Sequence, residues 1–203
     1  MTTKLDLYKL HKAEYLAPRE PVLVRTKPAQ YLAIAGQGAP GGPRFTACIG
    51  ALYGAAFTIK MTRKFAGKGD YAVCKLEGQW FFDGQPDTTS KEAWKWELMI
   101  RTPDFISQND LKTAVATLLK RGKSREIEEV TLETIAEGVC VQMLHVGPYE
   151  KECETIALMR TFAQANGLKL SGPHHEIYLS DPRRVPPDRL KTILRQPTVK
   201  QKS

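Results

Sequence analysis

The stretch PHHEIYLSDPRR, Pro173 to Arg184, concentrates the side chains best suited to chemistry. Two adjacent histidines, a glutamate and an aspartate fall within eight residues, just ahead of paired arginines. Such a set could ligate a metal, hold an anion, or place one carboxylate as a general base on water. Strand alternation separates these options. In an extended chain His174, Glu176, Tyr178 and Ser180 share one face, and His175, Ile177 and Leu179 share the other. The two histidines therefore diverge and cannot chelate one ion together. Further ligands do not stand nearby at a useful spacing, so no metal is expected. Ile177 and Leu179 belong against helices, which leaves Glu176 and Tyr178 on the open side.

A carboxylate enclosed by aromatic rings loses solvation and its pKa rises, which suits it to attract a cation or to act as a base. Alternation alone leaves a second reading open, in which Glu176 is a half-exposed strand glutamate paired with a nearby lysine or arginine. Aromatic residues for an enclosure exist. Trp94 and Trp96 share a strand face, and Trp80-Phe81-Phe82 lies across a polar turn from them. Tyr53 and Tyr149 are further candidates, and for each of these rings core packing is an equal alternative. GQGAPGG (36–42) follows a strand and precedes a helix but carries no GK[ST], and the helix it opens starts only after Pro-Arg-Phe, so it reads as a flexible rim rather than a phosphate loop. There is no GxSxG, and no cysteine has the context of a nucleophile.

The elements that must position these residues follow from periodicity. Residues 4–21 read as an N-terminal arm or short helix. QYLAIA (30–35) predicts a strand. Phe45, Ile49, Leu52, Ala56 and Ile59 recur at helical spacing after Pro43, and predict a helix over 44–66. YAVCKLEG (71–78) and KWELMIRTP (95–103) predict two more strands. The order then repeats: a strand at 139–147, a helix from Pro148 to about Ala165, and strands at 175–181 and 189–197. In that helix Cys153, Ile156, Met159 and Phe162/Ala163 are expected on the inner side, with Asn166-Gly167 as the stop. ELMIRTP (97–103) and KTILRQP (191–197) resemble each other directly, pairing Arg101 with Arg195 and Pro103 with Pro197.

This pattern predicts an α+β fold: tandem duplicated β-α-β-β units forming one antiparallel sheet, with helices on one face and a ligand cleft on the other. The expected organisation is an arm (1–27) followed by one domain (28–203). Its pseudo-repeats, 28–106 and 130–199, are joined by a helix at 109–121.

Composition narrows the function classes. A hydrophobic fraction of 42% in 203 residues supports a packed domain. The net charge of +8 is concentrated locally: Arg183 to Ser203 holds seven Lys/Arg against Asp188 alone. Without interleaved aromatics or a DNA- or RNA-binding signature, this reads as basic solvated surface, and direct nucleic-acid binding is not expected. No long apolar run predicts a membrane span, and MTTKLDLYKLHKAEYL has no signal-peptide core, so the cytoplasm is expected. Cys48, Cys74, Cys140 and Cys153 form no CxxC and are read as reduced.

The strings YLAIAGQG, ALYGAAFTIK, YAVCKLEGQWF, WKWELMIRTPDF, CVQMLHVGPYE, HHEIYLSDPRR and LKTILRQP, in this order, resemble the standalone GyrI-like small-molecule-binding proteins across nearly the whole chain. The resemblance implies the duplicated fold with a ligand cleft between the halves, and bulky aromatic, hydrophobic or cationic ligands. It places the family's cleft glutamate on Glu176 and the tyrosine of the HxGPY string on Tyr149. It places the aromatic walls on Trp80, Trp94 and Trp96. With Tyr53, Tyr178 and the strand histidine His145, these are the expected ligand-binding residues, beside Glu176 and Tyr149 as catalytic ones. No cofactor is expected, and a homodimer is one expected state. Some standalone members resemble hydrolases that open the strained ring of cyclopropane-bearing (cyclopropanoid) genotoxins with water. The alternatives are a non-catalytic module that sequesters xenobiotics and a protein that binds and inhibits DNA gyrase. About twenty residues precede the first half, too few for a DNA-binding helical domain.

Overall fold

The computed structural model describes residues 4–81 and 90–201. Phe82 and most of the polar turn expected after it lie outside the described residues. In chain order the first elements are α1 (Leu7–Leu10), α2 (Lys12–Tyr15), β1 (Val22–Arg25), β2 (Ala29–Gln37), α3 (Pro43–Phe65), β3 (Glu77–Phe81) and β4 (Lys95–Arg101). They are followed by α4 (Gln108–Lys120), β5 (Thr131–Ile135), β6 (Val139–Val146), α5 (Glu152–Ala165), β7 (Leu168–Leu170), β8 (His174–Tyr178) and β9 (Lys191–Lys200). The chain is α+β as its periodicity predicts, and the strand pairings within each unit described below are antiparallel. It forms two compact units, one of residues 1–10 and 29–135, the other of residues 11–28 and 136–203. Each contains the β-α-β-β order, as β2-α3-β3-β4 and as β6-α5-β8-β9.

In the first unit β4 lies between β3 and β2, and β5 pairs with the other edge of β2. Helix α3 opens with Pro43 at its first turn, where a missing N–H costs nothing. By length and composition α3 could cross a membrane, with a mean hydropathy of 1.2 over its most apolar window. Here Cys48, Leu52, Ala55, Ala56 and Ile59 are instead buried in a core with Leu32 and Ile34 of β2 and Leu98 and Ile100 of β4. Helix α4 is fixed by a capping box, in which Ser107 accepts from the Asp110 N–H and Asp110 accepts from the Ser107 N–H.

The strand expected over 71–78 is displaced. Tyr71 makes only an isolated bridge to Leu5, and the Leu76 N–H donates to the Tyr53 hydroxyl instead of a ladder. The true strand starts at Glu77, where pairing with Met99 of β4 begins.

Trp96 is almost fully buried, and its ring lies over Gly36, its cross-strand partner. A Cβ at Gly36 would sit 2.2 Å from the ring. The indole N–H donates to the Gly38 carbonyl at 3.1 Å, which leaves the ring little freedom to retreat. Gly36→Ala is therefore expected to cost about 1–3 kcal/mol of stability through overpacking, read as a lower denaturation midpoint with an unchanged slope.

In the second unit β6 lies between β1 and β9, and β8 and the short β7 both pair with β9. The inward face of α5 is rotated relative to the expectation. Glu152, Thr155, Met159 and Ala163 are buried and Ile156 and Phe162 partly so, while Cys153 is exposed. Positions 152, 155, 159 and 163 follow the 3.6-residue period as well as the apolar set does, but begin on a glutamate.

Candidate functional site

Cross-strand pairs put Glu176 opposite Leu194 and Tyr178 opposite Thr192. On the far side of β9, Leu194 faces Met143 and Thr192 faces His145 of β6. Met143 and Leu194 pack with Met159 of α5, so His174, Glu176 and Tyr178 lie on the face of this sheet that carries α5. Alternation grouped these three residues correctly. The expectation that Glu176 points away from the helix is corrected, since His175 and Ile177 take the opposite face. Both faces are buried here, so polarity could not tell them apart.

The helix supplies a second carboxylate. Glu152, at the start of α5, hydrogen-bonds to Glu176, and one donor atom each from Glu152, His174 and Glu176 lie within 4.8 Å of one another. Burial first, then the charge and the hydrogen bond of Glu176, push the Glu152 carboxyl well above the usual carboxylate range; the Thr192 hydroxyl pulls weakly the other way. Two carboxylates in contact and out of water cannot both ionise, so the pair shares a proton that rests on Glu152. His174 is only 8% exposed, and burial with the adjacent His175 lowers its imidazole to about 4. Its 3.6 Å approach to Glu176 is thus a contact of a neutral ring rather than an ion pair.

Tyr149 follows Pro148 in a 3-10 turn leading into α5, and its ring meets Tyr178 edge-on, centroids 6.0 Å apart at 89°. Burial and the nearby Glu176 raise its phenol to about 12, so it stays protonated and can donate. His145 holds this turn. Its Nε2 lies 3.2 Å from the Pro148 carbonyl, which can only accept, so the ring proton sits there and Nδ1 accepts from the Thr155 hydroxyl at 2.8 Å. With both nitrogens engaged, His145 positions Tyr149 and α5.

The other face of β8 and β9 carries a separate buried network. Arg195, 1% exposed, donates to Glu137 Oε2 at 3.1 Å, to Gln142 Oε1 at 2.9 Å and to the Glu14 carbonyl. His175 meets Glu137 Oε1 at 2.9 Å. Burial alone would raise the Glu137 carboxyl; His175 and Arg195 outweigh it and hold the group at about 2. The opening pair of histidines is therefore split between an acid pair and an ion-pair network.

The remaining expected residues belong to the first unit. Trp80 pairs across the strands with Trp96, stacks on Phe45 and meets Trp94 edge-on at 5.8 Å. Trp80 is buried with its indole N–H unpartnered, Trp94 is half-buried with Lys91 5.8 Å from its ring, and Trp96 belongs to the α3 core. Tyr53 is half-buried, its hydroxyl engaged by Leu76. Two surface concavities of the second unit, about 340 and 380 Å³, share Arg19 and are lined by Lys151, or by Arg189 and Lys191. Neither includes Glu152 or Glu176, and their exposed cations fit solvated surface better than a built site.

Glu152 and Glu137 were absent from the sequence-derived set. Helical phase could have found Glu152, the first member of the buried 152-155-159-163 series. Glu137 sits between β5 and β6, where no periodicity applies.

The GyrI-like small molecule binding domain matches residues 20–197. No curated protein matches the chain. The crystal structure of an uncharacterized conserved protein from Listeria innocua is 36% identical, with a TM-score of 0.91, covering 97% of this chain and 100% of that one. A hydrolase from Listeria innocua is 35% identical over the same shares, with a TM-score of 0.88. The EcmrR C-terminal domain, 12% identical with a TM-score of 0.58 over 89% of this chain and 98% of its own, shares the fold alone. Matched over nearly its whole length, the chain belongs to the GyrI-like small-molecule-binding family.

Proposed function

We propose that this chain is a cytoplasmic hydrolase of bulky, flat electrophiles bearing a strained cyclopropane. The observation that carries the proposal is the Glu152–Glu176 pair, one carboxyl kept protonated beside one that can accept. Glu176 takes a proton from water as the water oxygen bonds to a cyclopropane carbon. The ring C–C bond breaks, and its electron pair flows through the conjugated system onto the carbonyl oxygen. Tyr149, protonated and close to Glu176, gives its proton to that oxygen, the proton held by Glu176 returns to the Tyr149 phenolate, and the net change is addition of one water. The rings of Tyr149 and Tyr178 offer aromatic surface beside the carboxylates. The similarity to a hydrolase at 35% identity supports the reaction class.

The test is incubation with a spirocyclopropyl dienone, followed by chromatography and mass spectrometry. A water adduct formed faster than without protein is the expected result. Ligand recovered unchanged, with saturable tryptophan quenching, would establish sequestration in its place.

A further inference from the structure

We propose that Glu152, His174 and Glu176 form a binding site for a divalent transition-metal ion of the zinc class. This goes beyond hydrolysis and concerns what the three side chains can hold. The spacing along β8 argues against a metal because it supplies one imidazole and one carboxylate only. The fold adds the missing donor from α5, and the three ligand atoms then lie within 4.8 Å of one another.

A second, independent observation points to a ligand. His174 is 8% exposed, and neither of its ring nitrogens has a hydrogen-bond partner. Nε2 is nevertheless aimed at the carboxylates, 3.6 Å from Glu176 Oε1. Glu152 likewise keeps one buried oxygen, Oε1, without a partner. Buried polar atoms are nearly always satisfied, so an unpartnered imidazole and an unpartnered carboxylate oxygen in one cluster are an arrangement that a cation would complete. One imidazole and two carboxylates are donor types that zinc accepts, and three protein ligands leave a fourth position for water, as in open zinc sites. No thiolate competes from within the cluster, since Cys153 faces outward on α5. A bound ion would engage the same oxygens that hydrolysis needs, so metal loading and metal-free turnover are separable readouts.

The test is a Co2+ titration of the full chain, freed of metal by chelation and carrying Cys153→Ser to remove the exposed thiol. One equivalent of Co2+ is expected to give the visible d–d bands of nitrogen/oxygen coordination, displaceable by Zn2+. Glu152→Gln and His174→Gln are each expected to weaken binding at least about 10-fold, with their thermal transitions recorded to show that they remain folded. Absence of the bands overturns the proposal, as does equal affinity in the parent and both variants. Dienone hydrolysis in excess chelator is measured separately and bears only on the hydrolytic reading.

Discussion

Glu176→Gln is expected to lower dienone hydrolysis by about 10²–10⁴-fold, the range that a positioned general base contributes. Ligand affinity, read by tryptophan quenching, should change little, because the amide keeps the shape of the carboxylate. The informative comparison is Glu152→Gln. Glu152 acts as a neutral hydrogen-bond donor to Glu176, and a glutamine amide can donate in the same direction. Its loss of rate should therefore be markedly smaller than that of Glu176→Gln. Equal losses in both variants would show that the carboxylates do not divide the work this way. Normal turnover by Glu176→Gln would remove it as the base.

Arg195→Met should give the largest loss of stability, about 3–5 kcal/mol, because it strands the buried Glu137 charge with His175 as its remaining cross-sheet partner. For a chain of this length that corresponds to a fall in thermal midpoint on the order of 10 °C. The same pair contributes to the acid limb of the stability profile. Glu137 titrates near 2 in the fold, below the usual glutamate value of about 4.3 when unfolded. The unfolded chain therefore binds the proton first as pH falls. Its stabilising contribution is fully present above about pH 4.3 and is lost progressively down to about pH 2. Urea midpoints across that window should fall steeply in the parent and less steeply in Arg195→Met, where the depression of Glu137 is relaxed. Parallel profiles would show that Arg195 is not what holds Glu137 ionised.

Much of the fold was legible. Pro43 and Pro148 mark the two main helix starts, and the strands around Ile34, Leu98, Val141 and Ile193 follow from apolar runs bounded by turn residues. The shared Arg-x-Pro endings revealed the duplication, and both Arg101 and Arg195 are buried at those places. What failed did so for identifiable reasons. Periodicity groups side chains by face but chooses the face by polarity, and β8 buries residues of both faces: His174 on one, His175 and Ile177 on the other. Helix phase is set by apolar residues, so an inward glutamate at the first position of α5 shifts the reading by one residue. Glu137 acts through two residues far away in sequence, which no local pattern records.

The second unit is made from two stretches of chain separated by more than a hundred residues, as the pairing of Val22 with Gln142 requires. During synthesis, which runs from the N-terminus, β1 emerges long before β6 exists, while everything needed for β2 to β5 arrives in between. Closing so long a loop makes the β1–β6 pairing a late, slow event. For that interval β1 is an open edge, exposed to wrong partners. Its brevity, four residues, and the charges at its end and beside it, Arg25 with Arg19, Glu20 and Lys27, are features that disfavour pairing of a waiting strand elsewhere.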